Sequence, residues 1–491
     1  MGGVEEHPEQ RLALWAAVVA GAALRLLPTL WTAAPFSVDS WGPLRDAEVF
    51  YGYSPVPLVS KLFDNYNNYW PALPVFLAVV GKIYGLKPVE VGPLIAPLVS
   101  ALGLPIAYAV VKRLGLQGKG VAAVLFACFF NSAWMGGGIT KEGFAGSLFY
   151  SLLLSVLIGG WYEVIVLSAA LALAHHLTTL VATAALLSLS VVRLAEEASR
   201  GGARVPARQL LALVVAGALQ YLLLGRYGLG VEVSWDLLVS AAAYLTLASL
   251  LASWTVVTAN NGGNRFAYTV LSFLAFLTPP AISWLAASGV ELLSGSPSVS
   301  TLHVFYSLAY SLLVLLATTG WPSRAEPLAF LAGVLGLLGF AVFSDPPGAG
   351  SIAYRLTSFA YPFLVMLAAA RASRWRRVVA TAVIVINMVM YALTFTGVDI
   401  YTGWYWLYSP REVKMGYFIS AYSPPGVRLA ADAKMCSLVR GMYGINCIVG
   451  SSRGLSAWEL YDSVMGFPVE GARVLPPVPV PKGNIIYTDL W

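Results

Sequence analysis

Apolar stretches of roughly bilayer length follow one another from residue 12 to residue 396, separated by short polar breaks. A helix rises 1.5 Å per residue, so about 20 apolar residues cross a hydrocarbon core of ~30 Å. The pattern predicts about thirteen spanning helices, over 12–34, 90–111, 120–137, 143–160, 163–176, 178–194, 209–225, 233–257, 266–285, 302–320, 327–344, 356–372 and 377–396. The runs are solid rather than alternating, which excludes the pattern of a transmembrane barrel. The fifth and sixth spans are short, and His175-His176 marks the reversal between them; one bent helix there would lower the count. Pro71–Leu86 is also apolar, but short for a crossing, and counting it would invert every later loop. It is read as an interfacial or re-entrant helix.

Two segments depart from this pattern. Residues 35–89 form a long first outer loop, with a short helix expected from Pro43 to Tyr51 and an aromatic run at Tyr66-Asn67-Asn68-Tyr69-Trp70. Such a run suits the headgroup level. Residues 397–491 turn to Pro, Gly, Ser and charge, with strands expected at Val427–Ala430 and Ile485–Tyr487 and a helix at Met435–Tyr443. The expected architecture is thus an all-α polytopic membrane domain over 1–396 and a small extracytoplasmic α/β domain over 397–491.

Composition sharpens this. A chain of 491 residues that is 58% hydrophobic and 11% charged, with mean hydropathy +0.73, cannot hide its apolar side chains in a soluble core. The net charge is +6, but the basic residues lie in short loops between spans, which points to membrane orientation rather than nucleic acid. A cytoplasmic N-terminus places Lys112, Arg113, Lys119, Arg193, Arg200, Arg204, Arg208, Arg265, Arg324 and the cluster Arg371, Arg374, Arg376, Arg377 inside. Only Lys141, Arg226 and Arg355 fall in short outer loops. The first run is read as an uncleaved anchor of a multi-pass plasma-membrane protein. Cys128 lies in an apolar run; Cys436 and Cys447 lie in the tail, where free thiols and a disulfide are both open.

Few ionisable residues remain for chemistry, and they gather on the outer side. Asp39 precedes the helix at Pro43, so it is either an N-cap or an active-site acid. Arg45 and Glu48, three apart on that helix, are expected to form a surface ion pair, and Asp46 to be solvated. Glu142 follows Gly136-Gly137-Gly138-Ile139-Thr140-Lys141 between the third and fourth spans. Lys141 and Glu142 either cap the next helix, or Glu142 faces Asp39 across a cavity. Two such carboxylates suit a divalent cation such as Mg or Mn, and one alone suits a general base. His175 and His176 are either structural or contact a phosphate or hydroxyl. Arg355 opens the twelfth span as an interfacial anchor or as a fork for a lipid phosphate. The chain has no Walker A, GxSxG, HExxH or CxxC pattern.

Asp39-Ser40-Trp41-Gly42-Pro43-Leu44-Arg45 resembles the first-loop motif of oligosaccharyltransferase catalytic subunits, an Asp followed six positions later by Arg. Glu142 in its glycine-rich loop resembles their second acidic motif. The plan of about thirteen spans, an acid in a long first outer loop and an outer C-terminal domain resembles the wider GT-C superfamily, which includes protein O-mannosyltransferases and aminoarabinose transferases. The resemblance implies a polyprenyl-phosphate-linked sugar donor, an acceptor protein, lipid or glycan, and transfer on the outer face. Asp39 and Glu142 would then be acid/base or metal-binding residues, and Arg355, helped by Lys141, His175 and His176, would bind the donor phosphate. Departures are specific. The tail lacks WWDYG, Thr140-Lys141-Glu142 stands where those enzymes carry paired acids, and Ser298-Val299-Ser300-Thr301 lacks the Glu of their flexible-loop motif. A metal-independent mechanism is equally open. Two other classes stay in view: a transporter or flippase of a lipid-linked substrate, which predicts ionisable residues near mid-span and has Arg25, toward the outer half of its span, as its main candidate, and a catalytically inert assembly subunit.

Overall fold

The computed structural model describes residues 8–53, 69–200, 205–228, 234–260, 265–288, 290, 301–320, 325–346, 349–396, 403, 406–422, 428–449 and 486–488. The Ser298–Thr301 motif, except Thr301, and Tyr66-Asn67-Asn68 lie outside them. The helices run α1 Pro8–Thr32, α2 Trp41–Gly52, α3 Ala72–Tyr84, α4 Pro88–Ala101, α5 Gly103–Arg113, α6 Lys119–Cys128, α7 Phe130–Gly137, α8 Lys141–Ile158, α9 Tyr162–Ala174 and α10 His176–Arg200. They continue as α11 Ala207–Gln220, α12 Trp235–Asn260, α13 Arg265–Ala287, α14 Thr301–Gly320, α15 Ala325–Ser344, α16 Ala349–Ala368 and α17 Arg374–Phe395.

Among the described residues ten helical segments are long and apolar enough to cross a membrane, and an eleventh is added if the bent pair α6–α7 is one span. Helices stand at every predicted span, but α9 and the apolar stretch Ser272–Ala287 of α13 fall below that length. α3 is shorter still, and at 13 residues it reaches only about 20 Å. The chain leaves helical geometry at His175 (φ −161°, ψ 122°), so α9 and α10 are separate helices. Exposed side chains such as Leu211, Leu222, Leu250 and Trp254 give the apolar outer surface of a multi-pass membrane protein.

α15 is the most enclosed of the later helices, packed against α10, α12 and α16. Glycines permit these crossings. A Cβ on Gly333 would lie 2.5 Å from the backbone of Ala184 in α10, and one on Gly336 would lie 2.8 Å from Leu245 Cα in α12. Small residues at such crossings let helix backbones approach in lipid. Gly333→Val is expected to destabilise the protein by about 1–3 kcal/mol, read as a lowered melting temperature of the purified chain. At one end, Arg193 pairs with Glu326 (2.5 Å) to tie α10 to α15. Arg376 donates to Leu316 O (2.7 Å) and Ala368 O (2.5 Å), joining α14, α16 and α17.

The bend between α6 and α7 has an identifiable cause. Phe129 is extended (φ −63°, ψ 113°), the two helices meet at 51°, and the orphaned Phe130 N–H donates to Asn387 Oδ1 at 2.8 Å. Broken backbone at membrane depth is tolerated where protein satisfies it, and here α17 does so.

Beyond α17 the described residues form α18 Pro410–Tyr422, β1 Arg428–Ala431, α19 Ala433–Tyr443, β2 Asn446–Val449 and β3 Ile486–Thr488. The sheet order is β2-β1-β3, with β1 parallel to β2 and antiparallel to β3. A disulfide joins Cys436 of α19 to Cys447 of β2, while Cys128 is free. Lys434 is buried, donating to Glu412 Oε1 (2.6 Å) and Leu407 O (2.8 Å), so its charge is both paired and hydrogen-bonded.

Candidate functional site

The segment between α1 and α2 is held tightly. Ser37 has φ +82°, a left-handed value that costs a non-glycine residue about 1–3 kcal/mol. Its N–H donates to Trp406 O (3.0 Å), and its hydroxyl accepts the Asp39 N–H (3.2 Å). The cap of the short 3₁₀ turn Val38–Ser40 is therefore Ser37, and α2 begins after Ser40 with no side-chain cap. Asp39 does not cap α2, and its carboxylate lines a cavity instead.

Three successive glycines let the end of α7 approach α4, α1 and the loop before α2 closely. A Cβ on Gly136 would lie 2.3 Å from Ser100 Oγ, one on Gly137 2.9 Å from Arg25 O, and one on Gly138 2.7 Å from Ser37 Cβ. Ile139 N–H then donates to Ser40 Oγ (2.9 Å), while Ser40 donates to Phe36 O. Thr140 rather than the Lys141/Glu142 pair caps α8, accepting the Gly143 N–H at 3.0 Å. That leaves Glu142 in the first helical turn, where Arg355 Nη1 meets its Oε1 at 2.8 Å and His175 Nε2 stands 3.7 Å away. α8 thus departs from the site at Glu142, α9 returns to it at His175, and α10 leaves again.

The resulting cavity, about 360 Å³, is lined by Asp39, Lys141, Glu142, His175 and Arg355, with Ser437, Arg440 and Gly441 of α19 on its far wall. Asp39 is solvent-exposed, yet partial desolvation by the surrounding segments raises its carboxyl above the ordinary aspartate range; the charge of Glu142 adds to this, and Arg355 and Lys141 oppose it. His175 Nδ1 is bonded to Thr178 Oγ1 (2.8 Å), which orients the ring. His176 turns elsewhere, its ring 4.8 Å from that of buried Trp70, and Lys141 Nζ lies 5.6 Å from the same indole. The six candidate residues therefore share one neighbourhood, but His176 is absent from the cavity lining.

Other sequence expectations are corrected. Among the described residues Arg45 and Glu48 form no ion pair: Glu48 Oε1 accepts the Val89 N–H (2.9 Å), and the Arg45 guanidinium lies over Gly444, which has φ +69°. Asp46 is buried rather than solvated. The contribution of α19 went unseen, because tail-to-loop packing leaves no local pattern. Its one trace is Gly441, where a Cβ would lie 2.8 Å from Trp41 Cβ.

Among the described residues no group of three or more His, Cys, Asp or Glu side chains assembles that could hold a metal ion. Glu142 Oε1 is already engaged by Arg355. Asp39 and Glu142 would supply two carboxylates to a divalent cation, and water and phosphate oxygens would have to complete its shell.

No family model and no curated protein matches the chain. Solved structures do match in fold. The apo oligosaccharyltransferase of Archaeoglobus fulgidus superposes with a TM-score of 0.51 at 14% identity, covering 90% of this chain and 65% of that one. The same enzyme tethered through a disulfide to an acceptor peptide containing the NVT sequon gives 0.54 at 12% identity, with coverages of 90% and 64%. At such identities the likeness is one of fold. The chain spans about 65% of the length of the structure it matches.

Proposed function

We propose that this chain is an integral-membrane glycosyltransferase, moving a sugar or glycan from a polyprenyl-phosphate-linked donor to an acceptor on the outer membrane face. The observation that carries this reading is the convergence of Asp39, Glu142 and Arg355, from three distant segments, on one cavity. The disulfide in the tail supports an extracytoplasmic position for that domain, since such bonds persist in oxidising compartments.

In the proposed step Asp39, ionised, takes the proton from an acceptor hydroxyl or amide as that atom attacks the anomeric carbon. The bond from that carbon to the donor phosphate oxygen breaks, and its electron pair leaves with the phosphate. Arg355 offsets the charge that develops there, as a guanidinium does in bidentate fashion. Glu142 holds Arg355 by one nitrogen and so orients the remaining N–H groups. His175 contributes orientation through Glu142. No step is routed through a metal ion. Without WWDYG, nothing specifies an asparagine sequon as acceptor; protein, lipid and glycan acceptors all suit the reading.

The test is transfer of labelled sugar from a synthetic decaprenyl-phosphate-linked donor by the reconstituted full chain. Arg355→Ala is expected to raise the donor KM about tenfold, with partial recovery in Arg355→Lys, because a hydrogen bond to a charged group contributes ~1.5–3 kcal/mol. A donor KM unchanged in both variants removes Arg355 from the donor site. The transporter alternative draws on the broken span α6–α7. It requires a cysteine at position 39 to become reachable from both sides of the membrane in turn, whereas the enzyme reading expects labelling from the outer side alone.

A further inference from the structure

Three cations line the cavity that holds Asp39, and Arg440 of α19 differs from the other two. Arg355 is engaged by Glu142 at 2.8 Å, and Lys141 is buried against Trp70. Among the described residues the Arg440 guanidinium has neither an ion pair nor a hydrogen-bond acceptor. The charges that act on Asp39 are Glu142, Arg355 and Lys141, so Arg440 does not pair with it either. Lys141 and His175 are buried in the lining, whereas Asp39 and Arg440 are exposed. Those two therefore stand at the open side of the cavity.

The local sequence holds this side chain in place. Ser437, Arg440 and Gly441 are spaced i, i+3, i+4, so they share the face of α19 that meets the cavity. Met435, Leu438 and Val439 are buried on the opposite face. Asp432 Oδ1 accepts the Met435 N–H (2.9 Å) at the start of the helix, and the Cys436–Cys447 disulfide ties its middle to β2. At its end Gly444 donates to Arg440 O (3.0 Å). A charge on so fixed an element is ordered before any ligand arrives.

Beside Arg440 the wall is bare. Gly42 of α2 and Gly441 both line the cavity, and a Cβ on Gly441 would lie 3.3 Å from Gly42 N. Glycines at such a seam let another backbone come close. Val38 and Pro43 are the apolar side chains of the lining, which is little for a lipid tail. An extended peptide suits the seam, and a carboxylate on it suits the guanidinium fork.

We propose that Arg440 selects the acceptor: a peptide segment with an acidic residue near the side chain that receives the sugar. The carboxylate pairs with Arg440 at the open side while the receiving side chain reaches Asp39. The transfer rests on the proposed function; the binding of the acidic peptide does not.

The experiment is fluorescence anisotropy of labelled hexapeptides with the full chain in phosphatidylcholine nanodiscs at physiological ionic strength. Each peptide carries one Ser, Thr or Asn in an Ala/Gly background, with an Asp or Glu one to three positions away. Controls replace the acid by its amide or by Lys. The best acidic peptide is expected to bind about fivefold or more tightly than its amide control, the upper range for an exposed ion pair. Arg440→Gln is expected to abolish that difference at an unchanged melting temperature, and Arg440→Glu to reverse it in favour of the Lys peptide. Arg411→Ala, which removes an exposed cation of α18 outside the cavity, is expected to change nothing. No binding by any peptide, equal binding of acidic and amide peptides, or a preference that survives Arg440→Gln overturns the inference. A preference lost equally in Arg411→Ala assigns it to the net charge of the chain and overturns it too. A raised donor KM in Arg440→Gln with the peptides unaffected gives the arginine to the donor instead. An acid-selective peptide site on a chain that transfers no sugar would sink the proposed function alone. Sugar transfer to peptides whose KM ignores the acid would sink this inference alone.

Discussion

Asp39→Asn is expected to lower the rate of sugar transfer by roughly 10²–10⁴, the usual contribution of a positioned general base. The amide keeps the shape of the side chain and removes its ability to take a proton. The same variant is expected to melt no lower than the wild type, and this follows from linkage. Partial desolvation and Glu142 raise the folded-state pKa of Asp39 above its unfolded value. Between those two values the folded state binds more protons than the unfolded one, so stability falls as pH rises through the window. Asp39 is solvent-exposed, so above that window the cost of its charge is small and Asn is expected to leave the melting temperature close to that of the wild type. Turnover by the wild type should therefore decline as pH falls through the raised Asp39 pKa, while the melting temperature moves the other way at this site. Paired rate and melting measurements across pH check both. Wild-type turnover in a folded Asp39→Asn protein would end the assignment of Asp39 as base.

Gly138→Val is expected to reduce turnover by about 10²-fold or more without unfolding the membrane helices. Its backbone (φ −93°, ψ 172°) is open to any residue, so the effect is purely one of space. The added atoms would meet Ser37 Cβ at 2.7 Å and Phe36 O at 3.1 Å, both in the loop that carries Asp39. Pushing the loops apart separates Asp39 from Glu142, and a displacement near 1 Å in a catalytic arrangement costs about that factor. Because Arg355 is held from α16, the loss should fall on kcat with donor KM preserved. Gly138→Ala, with a smaller side chain, should lie between. A KM-only effect would mean that the glycine serves donor binding instead.

The spans were legible because lipid enforces them: a run such as Ala325–Ser344 has no alternative to helix. Asp39, Glu142 and Arg355 stand out in the sequence as charges between apolar runs, and the breaks that carry them meet at one cavity. What was not legible came from contacts across long stretches of sequence. Thr140 reads as an ordinary loop residue until Gly143 closes over it. Asp46 occupies a helix face that looks solvated until surrounding segments cover it. The Arg45–Glu48 pairing is a sound local expectation, but the Val89 N–H at the start of α4 competes for the carboxylate and wins. The role of α19 in lining the cavity depends on Gly441 against Trp41, a pairing of residues four hundred positions apart.

Ser37 holds its left-handed backbone because Trp406, beyond the last membrane helix, offers a carbonyl to its N–H. Tyr408, two residues on, packs its ring edge-on at 4.9 Å against Trp41. The shape of the acid-bearing turn is therefore borrowed from residues that follow every membrane helix described above. During synthesis all the helices can be inserted while the turn is still slack. On the proposed reading the acid is set in place only when the segment around Trp406 and Tyr408 docks, and a chain truncated after Phe395 would keep the described membrane helices while losing this support for Asp39.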